Sequence, residues 1–210
     1  MLTLIKREIK DHLIYFILAV IFAGIVTGTS LKFIFEYPPL YRLTTNLSTI
    51  ITITVITIFL FFIMGAAQMY IDKNRRISAF LTTLPVSRIR ILTARIITGV
   101  LAILTLLVPL AIALIITLRM RTPPIPLFSN VVYELFAGLF LTAFACYCIG
   151  LHAGWNSTNL IPALGGLGLA CILVTLILIK GFGFHIIVIF LVFILALLIR
   201  IWYLFTSTSL

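Results

Sequence analysis

Acidic residues are scarce in this chain: five Asp and Glu stand against fifteen Lys and Arg in 210 residues. Charge of either sign is rare as well. Charged residues make up 10% of the chain, whereas soluble domains carry about 25%. Apolar residues make up 63%, and the mean hydropathy is +1.30. A soluble domain of this length cannot cover that much apolar surface, so the composition points to a membrane protein. The shortage of acids leaves a formal charge of +10. In a soluble protein that excess would suggest a nucleic-acid partner. Here the basic residues lie between apolar runs, and no stretch is long enough to form a water-facing domain. They read instead as topology signals and headgroup contacts.

Cysteine is also sparse. Cys146, Cys148 and Cys171 all fall inside apolar runs. On a helix the first two point about 200° apart, so they cannot hold a metal together. Packing is the expected role, and no disulfide framework is indicated.

Six apolar runs approach or exceed the roughly 20 residues that cross a bilayer as helix. They cover 13–31, 48–70, 92–118, 131–153, 159–179 and 185–206. Lys180, Gly181 and Gly183 separate the last two. The expected fold class is therefore all-α, a polytopic membrane protein with six transmembrane helices in one domain over 1–210. Lys6, Arg7 and Lys10 precede the first run as in a signal peptide. Glu8 and Asp11 in the same stretch, and the length of the run, favour a retained helix.

With a cytoplasmic N-terminus, ten basic residues fall inside: Lys6, Arg7, Lys10, Lys73, Arg75, Arg76, Arg88, Arg90, Arg95 and Arg200. Five fall outside: Lys32, Arg42, Arg119, Arg121 and Lys180. The positive-inside bias favours this orientation, in a cell membrane with both termini cytoplasmic. Residues 1–12 place Leu2, Ile5, Ile9 and Leu13 at helical spacing, with Lys6, Arg7, Lys10 and Asp11 mostly off that face. This predicts an amphipathic helix on the inner surface, with a plain extension of the first span as the alternative. The prolines of 37–39 and 123–126 stiffen the outer loops. Pro109 interrupts the hydrogen bonding of the third span. Gly65, Ala66 and Ala67, and the small residues of 163–170, suit close helix packing.

No charge lies at the centre of any run. Arg95, Glu134, His152, His185 and Arg200 all fall towards run ends, within reach of headgroups or water. The buried carboxylates common in ion-driven transporters are missing, as are a nucleophile with its base and a metal set. No G-x-x-x-x-G-K-[ST] occurs, so the chain has no P-loop of its own. Gly165 to Gly168 follows no strand and does not read as a phosphate loop. No catalytic residue, metal site or cofactor is expected in this chain.

One connecting segment is unusually regular. Ile77, Phe80, Leu81 and Leu84 have offsets 0, 3, 4 and 7 and share one helical stripe. Asp72 or Asn74 can cap this helix, Pro85 stops it, and Ser87 is a natural N-cap for the third span. The segment 73–87 thus reads as a short amphipathic helix and a turn. Its stripe fits either a lipid surface or a groove on a partner protein.

The six runs, the basic amphipathic N-terminus and Leu84-Pro85-Val86-Ser87-Arg88 together resemble the permease subunits of type-2 ABC exporters. Arg95 stands where that family often has lysine. The chain departs from the pattern upstream, with Arg76 and Ile77 in place of Gly-Thr and Ala79 in place of a glutamate. It also leaves little room, at 180–184, for the family's outer hairpin. The resemblance implies that 73–87 is a coupling helix docking on a P-loop ATPase. Ile77, Phe80, Leu81 and Leu84 would be its anchors, Pro85 its corner, and Arg75, Arg76 and Arg88 its polar contacts. It further implies two ATPase chains carrying ATP and Mg, a second permease copy or paralogue, and alternating access. The apolar span centres suit export of an amphipathic or lipophilic cargo such as a peptide, drug or lipid. Thr52, Thr57, Thr105 and Thr142 are candidate path-lining positions, with hydrogen bonds that serve packing as the other reading. An ATP-independent membrane scaffold and a secondary transporter are the alternative functions.

Overall fold

The computed structural model describes residues 2–36, 55–56, 59–71, 88–121, 126–155, 164–166, 168–169, 171–172, 175 and 184–207. All of these are helical except His12, which forms a turn. Helix α1 spans Leu2–Asp11 and α2 spans Leu13–Glu36. Helix α3 covers Phe59–Ile71, α4 covers Arg88–Arg121, α5 covers Pro126–Trp155 and α6 covers Phe184–Ser207.

Among the described residues, three segments are long and apolar enough to cross a membrane: Ile89–Ile112, Phe136–Trp155 and Ile187–Leu204. Leu13–Ile25 and Phe59–Ile71 are shorter apolar helices. The described residues thus form a helical structure of membrane-protein character. The expected second and fifth spans fall only partly within them, and the coupling segment up to Ser87 lies wholly outside.

Local chemistry bears on the start of α5 and the middle of α4. α4 opens at Arg88, directly after Ser87. α5 opens on Pro126, where a missing N–H costs nothing because the first-turn donors have no intrahelical partner. The 34-residue α4 runs on through Pro109. Proline there takes a donor from the carbonyl of Thr105, four residues earlier.

α4 is the central helix and touches α1, α2, α5 and α6. Its inner face contributes Leu92, Ile103 and Leu106 to a core that includes Ala19, Phe61, Met64, Tyr147, Leu151, Phe190 and Ile194. α6 lies on the outside, with Ile189, Val192, Leu195, Ile199, Trp202 and Tyr203 exposed. Such a face is unfavourable in water and unexceptional in lipid.

α3 and α5 approach each other through glycine. A Cβ on Gly150 would run into the Phe62 carbonyl oxygen and lie 3.0 Å from the Ala66 nitrogen. One on Gly65 would meet the Tyr147 carbonyl oxygen, with the Leu151 nitrogen 3.0 Å away. One on Gly154 would meet the Ala66 carbonyl oxygen. In each case the obstacle is backbone, so the two helices pack closely only because these side chains are missing. Gly65 and Ala66 therefore act as expected from their small size. In the fifth run, Gly166 faces Ile149 and Ala153, whereas Gly165 and Gly168 have nothing within 4 Å.

α1 and α2 are joined by one residue. The His12 N–H donates to the Glu8 carbonyl at 3.0 Å, and the Tyr15 N–H donates to the His12 carbonyl at 3.0 Å. The backbone ladder is carried across the turn, and α1 lies against α4.

Candidate functional site

The most polar place in the described core lies where α1, α3, α4 and α5 meet. On α1, residues 5, 8, 9 and 12 form one stripe by their i, i+3, i+4 and i+7 spacing. Ile5 and Ile9 are half-buried, and Glu8 and His12 are buried. Lys6, Arg7, Lys10 and Asp11 are exposed. The expected amphipathic helix is present, but the place of Leu13 on its buried face is corrected. Leu13 is exposed, and two polar groups share the buried stripe with the isoleucines.

Arg95, two turns into α4, is also corrected. It was expected to reach headgroups or water from its run end, but it is 1% exposed. Its Nε lies 3.7 Å from Glu8 Oε1, and its Nη1 donates to the Met69 sulfur at 3.2 Å. Glu8 Oε1 is also 3.9 Å from Arg7 Nη2, and Oε2 is 3.7 Å from His12 Nε2. A carboxylate thus sits among several basic groups, at separations longer than the 2.7–2.9 Å of a direct charge-assisted hydrogen bond. The attraction here is mainly Coulombic. Burial makes it stronger than a surface pair, and also makes losing one member costly.

Tyr147 of α5 closes the cluster from the other side. Its hydroxyl lies 2.7 Å from Gln68 Oε1 and donates to it, and it is 2.9 Å from the Arg95 carbonyl oxygen as a second acceptor. The phenol has one proton, so the two acceptors share it. Gly99 makes the reach possible, because a Cβ there would overlap the Tyr147 ring. Gln68 is 2% exposed, and its Nε2 has no hydrogen-bond partner among the described residues.

His12 lies in this cluster before the first span. Burial, the largest effect, pushes its pKa below the ordinary 6.5. Glu8 opposes that shift, Arg95 adds to it and Asp11 opposes it. At neutral pH the folded state therefore holds neutral imidazole, and the unfolded chain binds the proton more readily on acidification. His12 stability should be fully present above about pH 6.5 and fall as the pH drops through the lowered folded value. Thermal unfolding in detergent at pH 7.5 and pH 5 should show a larger acid loss for the native chain than for His12→Gln. Equal losses would refute the assignment.

The sequence-based candidates fare unevenly. Arg75, Arg76, Ile77, Phe80, Leu81, Leu84 and Pro85 lie outside the described residues, as do Thr52 and Thr57. Arg88 is the first residue of α4. Thr105 is half-buried, and its hydroxyl donates to the Ala102 carbonyl at 2.8 Å. Thr142 is buried and donates to the Gly138 carbonyl at 2.7 Å. Both hydroxyls are thus engaged by their own helices. Cys146 and Cys148 are buried and Cys171 is exposed. Glu134 is exposed.

Glu8, His12, Gln68 and Tyr147 were not among the sequence-based site candidates. Two signals could have found the first three of them. Glu8 and His12 sit four apart on the stripe that also holds Ile5 and Ile9, and Gln68 is the lone amide in α3. Compared with family models, curated proteins and solved structures, the chain matches none.

Proposed function

We propose that this chain is the membrane-spanning subunit of an ATP-driven exporter, similar to the permeases of type-2 ABC systems. The observation that carries the reading is the segment between the second and third apolar runs. In the sequence Ile77, Phe80, Leu81 and Leu84 stand at the spacing of one helical stripe, and the motif Leu84-Pro85-Val86-Ser87-Arg88 follows. An amphipathic helix with such anchors suits a groove on a partner protein. The chain has no P-loop, so uphill transport needs that partner to supply hydrolysis. The helical, membrane-compatible architecture supports the reading.

In this reading 73–87 is the coupling helix on the cytoplasmic side. Two copies of the chain, or a copy and a paralogue, enclose the path. Two ATPase chains carrying ATP and Mg close and open beneath them and drive alternating access. The apolar span centres favour an amphipathic or lipophilic cargo: a hydrophobic peptide, a drug or a lipid.

Affinity purification from the native membrane is expected to bring down a P-loop ATPase. Phe80→Asp with Leu84→Asp should reduce its recovery by about tenfold or more, because buried anchors carry most of the binding energy, while the chain itself stays in the membrane. Full retention of the ATPase by the double variant would overturn the docking assignment. Transport that continues without ATP, on an ion gradient alone, would favour a secondary transporter.

A further inference from the structure

The buried polar cluster does more than neutralise one arginine. In the chain, residues 72–87 connect the end of α3 to the start of α4. Arg95 and Tyr147 each tie those two helices together. The Arg95 guanidinium bonds Met69 of α3, and the Tyr147 hydroxyl lies within hydrogen-bond distance of both Gln68 of α3 and the Arg95 carbonyl of α4. Glu8 then brings α1 to the same guanidinium, at 3.7 Å. Glu8, Gln68, Met69, Arg95 and Tyr147 are each buried. Their burial makes the contacts less screened than surface pairs and harder to exchange for water.

The geometry points to a four-way lock in which α1 moves with the facing ends of α3 and α4. α1 is then a strut rather than a passive surface anchor. One side of it carries Glu8 into the lock, and the other carries exposed Lys6, Arg7 and Lys10. The lock itself needs no partner. Only the source of the force rests on the permease reading, in which an ATPase pulls on the ends of α3 and α4.

Hydrogen exchange of the full-length protein in lipid nanodiscs tests the lock directly. Glu8→Lys places like charges together and should speed exchange of the α1 amides by about tenfold, with α4 and α5 little changed. Glu8→Lys with Arg95→Glu restores opposite charges and should return most of the protection. Lys10→Gln, on the exposed side, should leave α1 as in the native chain. Unchanged α1 exchange in Glu8→Lys would overturn the lock, as would an equal effect from Lys10→Gln. Should the exchanged pair fail to fold, Glu8→Gln decides. Faster α1 exchange there supports the lock, and native-like exchange overturns it.

A second measurement separates the two readings. With a co-purified ATPase present, ATP should alter α1 exchange in the native chain but not in Glu8→Gln. An α1 that ignores ATP while transport proceeds would refute the joint movement and leave the permease reading standing. Failure of any ATPase to co-purify would refute that reading, and the nanodisc comparison would still decide the lock.

Discussion

Gly150→Leu is expected to separate α3 from α5 and leave little protein that survives detergent extraction as a single species. Overpacking a filled core typically costs about 1–3 kcal/mol because side chains shift to make room. At Gly150 the neighbours are the Phe62 carbonyl and the Ala66 nitrogen. Backbone cannot change rotamer, so whole helices must move, and the cost should reach at least the top of that range. The displacement would carry Tyr147 with it, because Gly65 of α3 packs directly on the Tyr147 backbone. Gly24→Leu is the matched control, since Gly24 has nothing within 4 Å. Size-exclusion profiles after stepwise heating should show early aggregation for Gly150→Leu and a near-native profile for Gly24→Leu. Similar profiles for the two would contradict the close α3–α5 approach.

The second large effect concerns the ion pair. Glu8→Leu should destabilise the protein by roughly 3–5 kcal/mol, because it removes a buried counter-charge from a buried arginine. Glu8→Leu with Arg95→Leu should recover most of that loss. Replacing both members of a buried pair by apolar groups of similar size is often neutral, since the cost of desolvating both charges disappears with them. Equilibrium unfolding of the four chains forms a double-mutant cycle. A strong positive coupling is the expected result, and simple additivity would mean that Glu8 does not interact with Arg95. The recovered double variant is also informative about mechanism: a stable protein without the charge pair separates the lock's energetic role from any part in transport.

The helical architecture was readable because hydropathy over twenty residues is a strong signal. The third, fourth and sixth runs correspond to α4, α5 and α6, whose ends lie within a few residues of those expected except at Pro126, where α5 starts earlier. The amphipathic helix Leu2–Asp11 was readable for the same reason, as an apolar set recurring at helical spacing. The polar junction was harder to read. Its members are separated by tens of residues, and no local periodicity links Glu8 to Arg95 or Gln68 to Tyr147. Arg95 shows the difficulty best. In sequence it is a cation close to a run end, a place where headgroups ordinarily solvate arginine. Only the packing of α1 across α4 turns that end into an interior.

The sequence by itself determined the apolar, helical character that the described residues show. An apolar fraction of 63% with 10% charge leaves helices in lipid as the economical way to satisfy the backbone. It also held the motif at 84–88 on which the exporter reading depends. The tertiary structure decided which small residues are indispensable and which polar ones are buried. Gly65, Gly150 and Gly154 meet neighbouring backbone, while Gly24, Gly28, Gly165 and Gly168 face open space. Nothing in their local sequence separates the two groups. The physical reason is that close approach and desolvation are properties of a pair of surfaces, and a single helix contains only one of them.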